Sequence, residues 1–161
     1  MPEMETDIRE LVREWTVAKM REYTLTSVNR GATVRDAVER MGENKIGSLL
    51  VLDDGALFGI FTERDLLVRV LGTGADLDSP VEDFMTTDPE VVHLDDPIWD
   101  VLVQMDNRGY KHMPVIDRAT KAPIGTIGVR CAVSMLAECL PNAIYNLPPD
   151  PGNYPASREG G

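Results

Sequence analysis

Apolar positions along this chain change period several times, and one of the patterns comes twice. Val34, Ala37, Val38 and Met41 fall at i, i+3, i+4 and i+7, the stripe that one helix face needs. Ile98, Val101, Leu102 and Met105 repeat it 64 residues later, with Asp36 and Asp100 at the same place inside it. At that offset Val51-Leu52-Asp53 lands on Val115-Ile116-Asp117. With two residues inserted in the intervening turn, Gly59 lands on Gly125 and Arg64 on Arg130. Identities are few, but the order and spacing of element types recur, so the chain holds a duplicated unit.

The first unit is predicted to open with an extended stretch, Thr24 to Val28, and a helix from about Thr33 to Met41. Ile46 to Leu52 reads as a buried strand, Asp53-Asp54-Gly55 as a hairpin turn and Leu57 to Phe61 as the returning strand. Thr62 offers an N-cap to a second helix whose apolar face is Leu66, Leu67, Val70 and Leu71, ended by Gly72-Thr73-Gly74. The second unit repeats the order. Val91 to Leu94 is extended, and Pro97 starts a helix running to about Asn107. Met113 to Ile116 and Ile124 to Ile127 are strands, and the closing helix Val129 to Leu140 turns Val133, Leu136, Ala137 and Leu140 inward. The expected fold class is α/β of the α+β kind, built from two β-α-β-β-α units.

Two flanks complete the expected organisation. Residues 1–22 form an amphipathic helix with Met4, Ile8, Leu11, Val12, Trp15 and Ala18 on one face, and Asp7 with Glu10 as a capping box. Such a face must cover either its own domain or a partner. The units span 23–75 and 76–140, the second led by a polar, Pro-containing linker at 76–89. Residues 141–161 carry five prolines and three glycines and read as an extended or disordered tail.

Charge narrows the function classes. Against 16 Lys and Arg stand 27 Asp and Glu, a net charge of -11. Phosphate contacts want a basic surface, so a nucleic-acid polymer is not the expected partner. No run of 18 apolar residues appears and the start lacks a signal-peptide pattern, so neither a membrane span nor export is expected and the cytoplasm is. Cys131 and Cys139, about two helical turns apart, are too far apart along one helix to bridge and read as small buried thiols. Neither pairs with His93 or His112 at metal-ligand spacing, so no zinc site is expected.

One segment carries candidate chemistry: Gly59-Ile60-Phe61-Thr62-Glu63-Arg64-Asp65. A strand ends there and a helix begins, leaving first-turn N–H groups that attract anions. Thr62 offers a hydroxyl to a phosphate or sugar, and Asp65 accepts from ribose hydroxyls. The same Thr-x-x-Asp is also how a helix caps itself, and the residues alone leave both readings open.

The repeat adds a resemblance. Two β-α-β-β-α units, with Ile46 to Asp53, Gly59 to Asp65 and His112 to Asp117 in this order and Val81 to Thr86 as a lead-in, resemble the CBS (cystathionine β-synthase) domain pair, or Bateman module, over residues 23–140. The resemblance implies pseudo-two-fold symmetry, two clefts between the repeats, and an adenosine ligand: AMP, ADP, ATP or S-adenosylmethionine. By that likeness Asp65 holds the ribose, Thr62 the phosphate or ribose, and Ile60 lines the adenine. The second repeat lends the region of His93 together with Tyr110, Lys111 and His112. Lys111, His112, Arg64 and Arg130 are where an acidic chain has local positive charge for a phosphate. Gly128 and Cys131 replace the Thr and Asp in the second repeat, so one competent site per chain is expected, with the Thr126 hydroxyl, one or two positions early, the one feature against it.

The resulting expectation is a stand-alone regulatory module, homodimeric, signalling to an unknown effector protein. Its alternative is a ligand-independent structural dimer whose Thr62 and Asp65 are only a cap. Catalysis is not expected, because no nucleophile–base arrangement and no Gly-x-x-x-x-Gly-Lys loop can be read.

Overall fold

The computed structural model describes residues 13–20, 23 and 25–144. The first unit forms β1 (Ser27–Asn29), α1 (Val34–Asn44), β2 (Ser48–Asp53), β3 (Ala56–Thr62) and α2 (Glu63–Asp65). Helix α2 continues as a π-helical segment, Leu66–Val70, and a 3-10 turn, Leu71–Thr73. After β4 (Thr86–Thr87) the second unit forms α3 (Ile98–Arg108), β5 (His112–Ile116), β6 (Pro123–Gly128) and α4 (Val129–Ile144). The first sheet runs β1-β2-β3-β4, with β1 parallel to β2 and the other pairs antiparallel.

Local chemistry explains the boundaries. Thr33 caps α1 by accepting from Asp36 N–H at 3.1 Å, while Asp36 Oδ2 accepts from Thr33 N–H at 2.9 Å. The β2–β3 hairpin turns on Asp54 and Gly55, with φ of +47° and +82°, the left-handed pair its two-residue turn requires. In the second unit β5 and β6 pair antiparallel, but the opening strand expected at Val91 to Leu94 is reduced to one parallel bridge, Val92 with Val115. Its counterpart 64 residues earlier, Val28 with Val51, lies in a full ladder.

Each unit has its own core. Val28, Val34, Ala37, Met41, Leu49, Val51, Phe61 and Val70 fill the first, and Val92, Ile98, Val101, Met105, Met113, Val115 and Ile127 the second. The lead-in segments complete them crosswise. Val81 and Met85 pack into the first core, Val17 and Met20 into the second. Backbone bonds follow the same exchange: Val81 N–H donates to Ala32 O and Val34 N–H to Ser79 O, while Val17 N–H donates to Asp96 O and Ile98 N–H to Trp15 O. Every partner differs by 64, so the pseudo-two-fold relation holds to the level of single hydrogen bonds.

Several expectations need correction. The N-terminal helix does not reach 22: Arg13 is helical, Thr16 bridges Pro97, and Val17–Lys19 is a 3-10 turn lying on the second unit. Its lead-in role fixes Thr16 in extended backbone, φ −103° and ψ 161°, which no helix accommodates. Residues 1–12, with the face from Met4 to Val12, and the tail 145–161 lie outside the described residues. Helix α4 passes Pro141 and is described as far as Ile144, beyond the expected boundary at 140. On the two closing helices the inward face is narrower than expected: Leu66 and Val70 pack on the first core as the spacing predicts, but their expected companions do not. Leu67 and Leu71 are 61% and 56% exposed and Val133 is 52% exposed, while Ala137 is exposed as well. In α4 it is Ala132, outside the expected set, that faces the second core. Both helices are apolar on two sides, so spacing alone selects neither. The side chains of Leu136, Leu140 and Cys139 lie outside the described residues, and Cys131 is half-buried.

Candidate functional site

The site grows out of the β3–α2 junction. Thr62 ends β3 in extended backbone, φ −124° and ψ 164°, and its Oγ1 accepts from Asp65 N–H at 3.2 Å. In return Asp65 Oδ2 accepts from Thr62 N–H at 3.0 Å and from the Thr62 hydroxyl at 2.9 Å. This is the capping box of α1 made a second time. The difference is burial: Asp36 is exposed, whereas Asp65 is 7% exposed. A buried carboxylate is costly unless its acceptor positions are filled. Oδ1 accepts no hydrogen bond among the described residues and has the Arg69 Nε at an ion-pair distance of 3.4 Å.

What lies over Asp65 is a cleft of about 670 Å³ that both units build. Ile60, Thr62, Arg64 and Asp65 enter it from the first unit, and Tyr110, Lys111 and His112 from the second. The structure therefore brings seven of the nine expected residues together. His93 is not among them. Its Nδ1 sits 2.9 Å from Ile116 O, its backbone N–H donates to Asp96, and the ring is committed to the second unit's own edge. Thr86, Pro89 and Glu90, a few residues earlier, take the place expected for it. Arg130 is also absent, standing exposed in the first turn of α4 at the position equivalent to Arg64.

Sequence reading missed the linker wall and Arg69. The latter carried a readable signal, an acid–base pair four residues apart on one helix. Arg69 also donates through one Nη1 to Met85 O at 2.8 Å and Phe84 O at 3.2 Å, tying the linker to the site helix. Thr86, Pro89 and Glu90 had no local signal, because only the tertiary fold folds the linker against α2.

Charge in the cleft is unevenly matched. Glu90 is held by Arg108 at 3.1 Å and by Gln104 at 2.8 Å, and Asp65 by Arg69. Arg64 and Lys111 have no ion-pair partner among the described residues, nor does Glu63 on the same walls, so the cleft holds two unpaired cations against one unpaired carboxylate. His112 is half-buried, and burial holds its imidazole below the ordinary value despite the attraction of the Glu63 carboxylate; Lys111 pushes the same way as burial. The ring occupies a slot between two glycines. A Cβ on Gly47 would stand 3.2 Å from its Cε1, and one on Gly128 would stand 3.4 Å from its Cδ2.

That slot bears on the second cleft. Gly128 takes the place of Thr62, and a Cβ there would come into van der Waals contact with the His112 ring. Cys131 replaces the carboxylate. Thr126, at the position of Ile60, has its hydroxyl buried and without a hydrogen-bond partner among the described residues. No three His, Cys, Asp or Glu side chains among the described residues are grouped to hold a metal ion. No helix among them is long and apolar enough to cross a membrane.

Known proteins share this architecture. The CBS domain profile matches residues 5–72 and again 81–138. An uncharacterised 17.7 kDa protein of Acidianus ambivalens is 36% identical over 104 residues, which span 64% of this chain and 62% of that protein. A crystal structure of an uncharacterised conserved protein from Pyrococcus horikoshii is 26% identical with a TM-score of 0.71, covering 76% of this chain and 92% of that one. A CBS domain protein of Pyrobaculum aerophilum, complexed with AMP, is 20% identical with a TM-score of 0.69, covering 77% of this chain and 99% of that one. With both units matched by the profile, the chain belongs to the CBS domain family.

Proposed function

We propose that the chain is a regulatory module that takes an adenosine-containing ligand in the Asp65 cleft and passes occupancy to a partner protein. One observation carries this reading: a carboxylate only 7% exposed opens on a cleft shared by both units and flanked by unpaired cations. In it Asp65 accepts from the ribose, Ile60 and Tyr110 border the base, and Arg64 with Lys111 meets a phosphate. The AMP complex of the Pyrobaculum aerophilum protein supports the ligand class, and AMP, ADP, ATP and S-adenosylmethionine are the candidates. A ligand acts here by differential affinity for two arrangements of the repeats, not by chemistry on it.

The assay is calorimetric titration of wild type and Asp65→Asn with AMP, ATP and S-adenosylmethionine. Asn preserves an oxygen for the cap, which Ala would remove. Expected is binding of at least one ligand by wild type and a loss of about tenfold or more in the variant, with its melting curve intact. Equal binding by both proteins removes Asp65 from the site.

A second reading is supported by the capping box, complete without any ligand, and by Leu71 and Val133 facing outward. In it the product is a homodimer through the apolar sides of the closing helices, and the cleft is idle. A ligand at about 100 times its dissociation constant raises stability by about 2.7 kcal/mol. Unchanged melting with all three ligands would leave this second reading standing. The homodimer is compatible with both, since an isologous pair covers the outward face either way.

A further inference from the structure

We propose that His112 takes up a proton as a phosphorylated ligand enters the cleft, so that the preference for a phosphorylated over an unphosphorylated adenosine compound strengthens as pH falls. The proposal rests on the adenosine reading above and adds a regulation by pH to it.

His112 stands where the two units meet. It opens β5 opposite Gly128, and its ring lies against Gly47 of the first unit on one side and Gly128 on the other. Neither glycine has a side chain to cover it, and His112 lines the cleft together with Arg64 and Lys111. Its ring nitrogens make no hydrogen bond among the described residues. The chain's one other histidine is the contrast, since His93 Nδ1 is engaged 2.9 Å from Ile116 O. A half-buried imidazole with both nitrogens open gains from any partner the cleft can bring.

The charges around the ring say which partner that is. Glu63 and Arg64 come from α2, and Tyr110 and Lys111 from the turn before β5, while Gly47 and Gly128 bring none. Across the cleft Asp65 and Glu90 are held by Arg69 and Arg108, and Arg130 of α4 stands outside it. Glu63 Oε2 lies 3.3 Å from the point where a Gly47 Cβ would be, and His112 Cε1 lies 3.2 Å from the same point, yet the two close no ion pair. Burial and Lys111 hold the ring neutral, and Glu63 works against them. With the ring neutral, Arg64 and Lys111 against Glu63 leave this wall a single net positive charge. A phosphate monoester brings about −1.5 to −2 at pH 7. One proton on His112 closes the gap, and the new N–H donates to a phosphate oxygen as a charge-assisted hydrogen bond. Proton and phosphate then favour each other's binding reciprocally. Adenosine has no charge to match and leaves the ring as it is.

The test is calorimetric titration of AMP and adenosine at pH 7 in two buffers of different ionisation enthalpy, which counts the protons exchanged on binding. Wild type is expected to take up about half a proton or more per AMP and none with adenosine, and His112→Gln to take up none with either. Between about pH 8 and pH 6.5 the wild-type preference for AMP over adenosine is expected to grow about threefold or more. That of His112→Gln stays flat or falls as the phosphate itself protonates. An AMP complex that forms with no uptake, or with release, overturns the proposal, and so does uptake that persists in His112→Gln. Should His112→Gln fail to fold, His93→Gln leaves His112 the chain's one histidine. Its ring nitrogen resonances are then expected to move to the imidazolium positions with AMP and not with adenosine; nitrogens that stay neutral with AMP refute the proposal. A protein that binds S-adenosylmethionine alone overturns this proposal and leaves the adenosine reading standing. One that binds none of AMP, ATP and S-adenosylmethionine refutes that reading and the proposal with it.

Discussion

Replacing Gly59 with alanine tests the packing behind the cleft's linker wall. Gly59 pairs with Thr87 across β3 and β4, and a Cβ there would lie 2.4 Å from Met85 Sδ, 2.7 Å from Met85 Cε and 2.8 Å from Thr86 O. Met85 is 5% exposed and packed in the first core, so it has nowhere to retreat without giving up that packing. Moving the carbonyl means moving β4. Overpacking costs about 1–3 kcal/mol and losing a buried Met side chain's contacts about 2–5, so Gly59→Ala is expected to destabilise by about 2–4 kcal/mol. For a chain of this size that is a melting shift of roughly 5–15 °C. Urea unfolding is the assay, with Gly42→Ala as an internal contrast. Gly42 lies within α1 with nothing within 4 Å of its added Cβ, and the same substitution there is expected to stabilise by about 0.5–1 kcal/mol. Because two of the three close contacts are to Met85, Gly59→Ala combined with Met85→Ala is expected to cost less than the sum, by about 1 kcal/mol or more. A Gly59→Ala protein within 0.5 kcal/mol of wild type would refute the reasoning.

Three further outcomes are expected. Thr126→Val removes a buried hydroxyl that has no partner, and a gain of about 1 kcal/mol in urea unfolding is expected; a loss of that size would mean the hydroxyl is satisfied. His112, held below its ordinary 6.5 by burial, binds protons more readily unfolded than folded, so its contribution is fully present above about pH 6.5 and is lost as pH falls towards the lowered folded value. Melting of wild type and His112→Gln at pH 7.5 and 5.5 checks this: wild type should lose more on acidification, and parallel losses would contradict it. Leu71→Glu combined with Val133→Glu, both outward and outside the cleft, is expected to halve the particle mass seen by light scattering while leaving nucleotide binding intact.

What the sequence made legible was local. Thr62 and Asp65 stand three apart at a strand–helix junction, and the bonds between them follow from that spacing alone. The Asp53-Asp54-Gly55 turn is legible for the same reason. The 64-residue offset then placed one unit on the other. It failed where a side chain's surroundings come from elsewhere in the chain. The resemblance implies a place in the cleft for the region of His93, yet a carbonyl of β5 claims its ring. Leu67 and Leu71 were read as core because their helix is apolar on two sides, and only the packed structure decides which side is covered. The slot that seats His112 needs Gly47 and Gly128 from different units, 81 residues apart, and no window along the chain contains both.

The crosswise lead-ins have a consequence for how the molecule closes in time. Taken in circular order, the chain is two uninterrupted units: residues 25–89 hold one whole core, and 90–144 followed by 15–20 hold the other. In sequence order the second core is split, because residues 15–20 precede the whole first unit and the rest of that core follows it. Its first piece, Val17 and Met20, leaves the ribosome before everything it must pack against, and waits for Val92 through Ala132 to arrive. The first unit needs no such wait. Loop-closure entropy grows only slowly with length, so the delay costs little stability but raises the sequence separation on which folding rate depends. A permuted chain that starts at residue 25 and carries residues 13–23 on a flexible linker after residue 144 is expected to keep both cores and to form each from contiguous sequence.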